Sequence, residues 1–186
     1  MRKLLALVMV SLLGITVLAL VGCGGGDTGT AKEYLKTADK AYKAMEKDMT
    51  ELQTSLTTVL GGALSGNYAA VTPQAVQAAE ALVDKVLQQA PGVTAAYQKV
   101  DGLNGVEDYK AYADAMKKVV SEQEQLLGEG KNLIGALKPI ASDQAALTAW
   151  FQSNSSTFMQ LQESASKVTK AYEDAQQIKK DKNLTW

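Results

Sequence analysis

The sequence predicts an all-α chain, an antiparallel up-down-up-down four-helix bundle of long, heptad-patterned helices. Three observations carry that prediction. Apolar residues recur in alternating steps of three and four along nearly the whole chain after residue 30. Glycine, proline and capping residues cut this pattern into four stretches of similar length. The connections left between them are short, which favours antiparallel neighbours.

The first stretch runs Leu35, Ala38, Tyr42, Met45, Met49, Leu52, Leu56 and Val59. The second gives Val76, Ala79, Val83, Val86, Ala90, Val93, Tyr97 and Val100. The third runs from Tyr109, Tyr112, Met116 and Val119 through Gln123, Leu126 and Gly130 to Leu133 and Leu137. The fourth runs Leu147, Trp150, Asn154, Thr157, Leu161, Ser164, Val168, Ala171, Ala175 and Ile178. Leu82, Leu87, Leu127, Phe151, Phe158 and Tyr172 widen these stripes, as a bundle core requires and a two-stranded coil does not.

Boundary chemistry agrees. Gly61-Gly62 and Gly66-Asn67 end the first helix. Thr72-Pro73 reads as an N-cap followed by proline at the first helical position. Gly102 can end the second helix in the left-handed conformation, and Asn104 with Glu107 reads as a capping box for the third. Pro139 stops the third helix and Ser142-Asp143 caps the fourth. Pro91 is expected to kink or split the second helix near Gln89, and Asn154-Ser155-Ser156 to loosen or break the fourth. Helices of roughly 30 residues would each be about 45 Å long. Lys-Ala-Tyr recurs at 40–42, 110–112 and 170–172, an echo too faint to define a repeat protein.

The first two dozen residues have a different character. Met1-Arg2-Lys3 is a short positive segment, and Leu4 to Val21 is apolar apart from Ser11, Gly14 and Thr16. Length alone does not separate a membrane anchor from a removable signal. The end of the run does: Leu20-Val21-Gly22-Cys23 resembles the lipobox of bacterial lipoproteins. That resemblance covers only this segment. It implies cleavage between Gly22 and Cys23, lipid on the Cys23 thiol, and anchorage at the outer face of the cytoplasmic membrane or in an outer membrane. Two acyl chains hold a protein stably where one is marginal. The expected organisation is a signal peptide at 1–22, a lipidated Cys and flexible Gly-rich linker at 23–30, the bundle at 31–180 and a C-terminal tail at 181–186.

Composition excludes much chemistry. The 186 residues contain no histidine, which removes Ser-His-Asp and Cys-His catalysis, His-ligated zinc or haem, and the Glu-x-x-His pairs of di-iron bundles. A single cysteine allows no internal disulfide, so stability must come from the apolar core. Removing Arg2 and Lys3 with the signal leaves 17 basic against 20 acidic residues, and no basic cluster calls for nucleic acid. No enzyme, cofactor or metal site is expected. The expected role is a non-enzymatic binding or interaction module, its partner an envelope protein or small molecule. A ligand carrier or sensor with a pocket inside the bundle, and a structural envelope spacer, are the alternatives.

Candidate residues follow from the topology. Tyr34, Tyr97, Tyr109 and Tyr172 fall at nearly one height near the anchored end, with Tyr42 and Tyr112 just above. With Gln123 on the seam they could line a pocket for a small or cationic ligand, although packing of the core's end explains them more simply. Gln123 and Asn154 could instead fix register. Leu64, Tyr68 and Val71, at the opposite tip, are the expected protein contact. Met45 and Met49 have a spacing that could hold Cu(I), and Asp101, Asn104, Glu107 and Asp108 surround a turn that could hold Ca²⁺; core packing and capping account for both groups more simply. Ser164-x-x-Lys167 matches a penicillin-binding motif without its partner motifs or its α/β setting. Lys179, Lys180 and Lys182 with Trp186 read as a frayed, solvated tail able to touch anionic headgroups.

Overall fold

The computed structural model describes residues 27–62 and 67–186. The lipobox, Gly22 and Cys23 lie outside the described residues, as does Leu64. The described chain is helical without strands and contains five helices packed against one another, not four. α1 spans Thr28–Leu56 and runs on through a π-helical turn, Thr57–Gly61. A 3-10 turn at Tyr68–Ala70 leads to α2, Pro73–Gln98. α3 spans Glu107–Leu137, a second 3-10 turn covers Lys138–Ile140, and α4 and α5 follow at Gln144–Ser153 and Ser155–Asp181.

Burial follows the heptad pattern closely in the first two helices. All apolar seam positions from Leu35 to Leu52 and from Val76 to Val100 are buried. Each buried Val or Leu contributes roughly 1.5–3 kcal/mol relative to exposure. In the lower part of α3 the seam shifts by one residue: Leu127 is buried and Leu126 only half so. The predicted fourth helix is two. Asn154 turns its side-chain amide onto the Trp150 carbonyl at 2.8 Å, ending α4 and restarting the chain as α5. Pro91, in contrast, leaves α2 unbroken. It sits on the exposed face, where water can replace the missing backbone bond.

Bonds between helices fix their pairing. Asp48 to Lys85 and Asp39 to Tyr97 join α1 and α2 in antiparallel sense. Lys131 to Asp84 and Lys138 to Glu80 do so for α2 and α3, and Ser164 to Glu129 for α3 and α5. These three pairs form the main seams. α1 and α5 share no such backbone seam, and long side chains span the space between them.

Two ends result. The near end holds Asp27, the 99–106 turn and Trp186. The Asp27 carboxylate accepts the Asn104 N–H at 2.9 Å, which ties the start of α1 to the α2–α3 turn. The capping box expected from Asn104 and Glu107 therefore does not form. Val106 is the N-cap without a side-chain bond, and Glu107 and Asp108 favour the helix start through its dipole. Gly105, not Gly102, carries the left-handed backbone, with φ of 68°. α1 starts at Thr28, inside the stretch read as linker.

At the far end the caps behave as expected: Ala75 N–H bonds Thr72 Oγ1 at 3.1 Å, and Ala146 N–H bonds Asp143 Oδ1 at 3.0 Å. Ser142, strained at φ 76°, donates its N–H to the Val71 carbonyl and joins the two far loops. Val71 is 0% exposed and Tyr68 packs on the core, so the expected tip contact is corrected: Val71 is a core residue, whose packing removes it from any partner's reach. Thr54, Thr57 and Thr58 each donate to a carbonyl four residues back, a pattern that bends helices and here accompanies the π-turn. Just after it, a Cβ on Gly62 would lie 2.7 Å from the Ala70 Cβ and 3.2 Å from the Asn67 carbonyl oxygen. Gly62→Ala is therefore expected to destabilise the chain by about 1–3 kcal/mol, measured by thermal or urea unfolding. An unchanged midpoint would contradict this close approach.

Candidate functional site

The near end is built around one carboxylate. Asp39 lies beside the α1 seam, between Ala38 and Tyr42, with its side chain largely covered. Its Oδ1 accepts the hydroxyls of Tyr97 at 2.7 Å and Tyr112 at 3.0 Å. Its Oδ2 accepts the Lys179 ammonium at 3.1 Å and the Trp186 indole N–H at 3.0 Å. One residue thus links α1, α2, α3, α5 and the segment after α5. Four donors on two oxygens satisfy the charge and repay its burial only because the geometry is complete.

The last residues are ordered by a helix stop. Asn183 takes the left-handed conformation with φ of 49°. Asn183 N–H bonds the Lys180 carbonyl and Leu184 N–H the Lys179 carbonyl, the two bonds of a Schellman motif. Leu184 is buried, and Trp186 lies 5.1 Å from the Tyr112 ring and 6.2 Å from the Tyr109 ring, centroid to centroid. The Lys179 ammonium sits 3.8 Å from the Trp186 ring centroid, a cation–π contact. The frayed tail expected at 181–186 is therefore corrected: the segment is a packed strap, because Leu184 and Trp186 give it apolar surface to bury.

The tyrosines singled out in the sequence divide into groups. Tyr97 is 0% exposed and packs edge-on against Tyr112 at 6.3 Å. Tyr109 is half-buried under Trp186, and Tyr172 stacks on Tyr42 at 6.0 Å. Tyr34 stands apart, with Lys99 over its ring at 6.0 Å. Tyr42, Tyr112 and Tyr172 are the third residues of the three Lys-Ala-Tyr echoes, and all three belong to this cluster. Burial raises the pKa values of Tyr42, Tyr97, Tyr112 and Tyr172, and the nearby Asp39 charge adds to the shift of each.

The chain matches no family model, no curated protein and no solved structure. The residues themselves are then the only guide to what the cluster can do.

Gln123 is 2% exposed and donates its amide to the Tyr42 hydroxyl at 2.9 Å. Its carbonyl oxygen is buried without a partner among the described residues. Glu46, one turn beyond Tyr42, is half-buried, and desolvation raises its pKa against the opposing effect of Lys43. A second polar cluster lies further along α1: Asp48 accepts Lys85 at 2.8 Å and Gln89 at 2.6 Å, which lowers its pKa. Among the described residues no group of three or more carboxylate, cysteine or histidine side chains converges as a metal site would require. Met45 and Met49 are buried in the seam, and Ser164 bonds Glu129 at 2.8 Å, not Lys167. Asp101 pairs with Lys117, and Asp108 with Lys182. Asp39 is not visible as a site residue in the sequence, and Trp186 reads there only as part of a tail able to touch headgroups. The flanking Lys36 and Lys40 make Asp39 look like part of a solvated charged face.

Proposed function

We propose that this chain is an extracytoplasmic lipoprotein, held at a membrane by lipid on Cys23, whose helices form a non-enzymatic interaction module. In this reading α4 and α5 act as one broken rod, so that five helices make a four-rod bundle. One observation carries it: the near end, which faces the lipobox in sequence, is closed by hydrogen bonds and aromatic packing. Asp27 lies four residues beyond Cys23, a reach of at most about 14 Å in extended chain. The anchor would hold the closed end close to the lipid and turn the far end outward. No helix among the described residues is long and apolar enough to cross a membrane.

Cys23→Ser tests the anchoring. The expected result is loss of membrane association, together with loss of the acyl mass that the wild-type chain carries in an intact mass spectrum. A wild-type chain that carries a free thiol at Cys23 would overturn the reading. The alternative of a small-ligand carrier has one observation in its favour, the partnerless carbonyl oxygen of Gln123 in the core. A ligand retained through native mass spectrometry, and lost on Gln123→Leu, would favour that alternative.

A further inference from the structure

The gap between α1 and α5 already holds one ammonium. Lys179 reaches across it from α5. Its Nζ lies 3.1 Å from the Asp39 carboxylate, 3.8 Å from the Trp186 ring centroid and 5.1 Å from that of Tyr112. A carboxylate beside aromatic faces repays an ammonium for the water it gives up.

One heptad further along α1 the acid recurs and the cation does not. Glu46 stands on the same face as Asp39, half-buried. The α5 residue one heptad before Lys179 is Tyr172, whose ring stacks on Tyr42 at 6.0 Å. Among the described residues the Glu46 carboxylate makes no ion pair and accepts no hydrogen bond, and the exposed Lys43 acts on it only through space. Its charge acts on the Tyr42 and Tyr172 hydroxyls alike, which places it near both. Gln123 meets the Tyr42 hydroxyl from the core side at 2.9 Å, and its own carbonyl oxygen is buried without a partner among the described residues. Two acceptors around one tyrosine therefore lack donors, and buried acceptors call for them. Space follows along α3. Gly130, on the seam between Leu127 and Ile134, has nothing within 4 Å of where a Cβ would stand. The Ser164 to Glu129 bond brings the small Ala165 to that level.

We propose that the α1–α5 gap at Glu46 is a binding site for a small alkylammonium ion, its N–H groups donated to the Glu46 carboxylate and the Gln123 carbonyl and its alkyl part directed toward Gly130. The Tyr42 and Tyr172 rings supply the aromatic faces that Trp186 and Tyr112 supply to Lys179. An anion is excluded by Glu46, with Asp39 two turns away on the same face, and a neutral molecule leaves the carboxylate without a counter-charge. Entry requires Tyr172 to turn outward. Its ring is half-buried, and its hydroxyl makes no hydrogen bond among the described residues, so little holds it in place. The inference names the ligand class for the small-ligand alternative given above and rests on that reading.

The test is isothermal titration calorimetry of the full chain in non-ionic detergent with butylammonium chloride, 1-butanol and sodium butyrate. Butylammonium is expected to bind saturably at a single site, at least about tenfold more tightly than butanol, and butyrate not at all. Glu46→Gln keeps the side chain's shape and removes its charge, and should weaken butylammonium about tenfold to a hundredfold with helicity unchanged. Tyr172→Lys repeats the Asp39–Lys179 pairing one heptad along and should block the probe with a tethered ammonium. No saturable uptake of butylammonium, equal uptake of butanol, or uptake that either variant leaves unchanged would overturn the inference. Native mass spectrometry that finds a neutral or anionic ligand bound would uphold the carrier reading and overturn this one, so the two failures are distinguishable.

Discussion

Replacing Asp39 with alanine lowers the stability of the folded chain by about 3–5 kcal/mol, the range expected when a covered charge leaves its partners unpaired. Two tyrosine hydroxyls lose their acceptor within the core; Tyr112 still has Gln176 within hydrogen-bond reach, and Tyr97 keeps no other hydrogen bond in the described contacts. Lys179 keeps its charge beside the aromatic rings without a counter-ion. The Trp186 indole N–H is orphaned, and the strap loses its polar tie. Urea unfolding of the two proteins measures the difference. Asp39→Asn should fall between them, because its amide oxygen can still serve the two tyrosines while its amino group faces two donors. A loss for alanine under about 1 kcal/mol, the range of an exposed pair, would remove Asp39 from the centre of the near end.

That centre shows where sequence reasoning reached its limit. The apolar seams of α1 and α2 were readable residue by residue, because an unbroken helix packed along its length leaves no freedom in which face is buried. The tyrosine positions were readable in height, since height needs only the turns and the rise per residue. What they bond was not readable. Asp39 is far in the chain from Lys179 and Trp186, and it meets them only because α1 and α5 approach across a gap. No periodicity encodes such a meeting. Asn154 and Pro91 make the same point in opposite directions: the proline sits on an exposed face that tolerates it, and the asparagine on a seam where its own amide offers the backbone an alternative. Val71 was misplaced for a third reason. A valine between a glycine-rich loop and a cap reads as tip, yet the second far loop crosses over it through Ser142.

The folded chain should also fail sharply in alkali, with a slope that counts buried phenols. An unfolded tyrosine loses its proton near pH 10. Tyr42, Tyr97 and Tyr112 hold theirs well above that, chiefly because burial disfavours the phenolate and secondarily because of neighbours such as Asp39 and the other tyrosines. The less deeply buried Tyr172 is shifted in the same direction and adds to the slope. Below pH 10 both states keep the proton and stability is unaffected. Above it the unfolded state releases protons that the folded state retains, so stability falls as pH rises. Each such group removes about 1.4 kcal/mol per pH unit, and three together about 4 kcal/mol. Against a total stability of roughly 5–15 kcal/mol, cooperative unfolding follows within about one to four pH units above 10. Lys85 and Lys131, whose carboxylate partners raise their pKa values, act in the same direction. Tyrosinate absorbance and helical circular dichroism should therefore change together for these residues, and Tyr42→Phe should flatten the slope by about a quarter to a third. A chain that forms most of its tyrosinate near pH 10 while staying fully helical would show that these phenols are reached by water, and the packed near end would have to be abandoned.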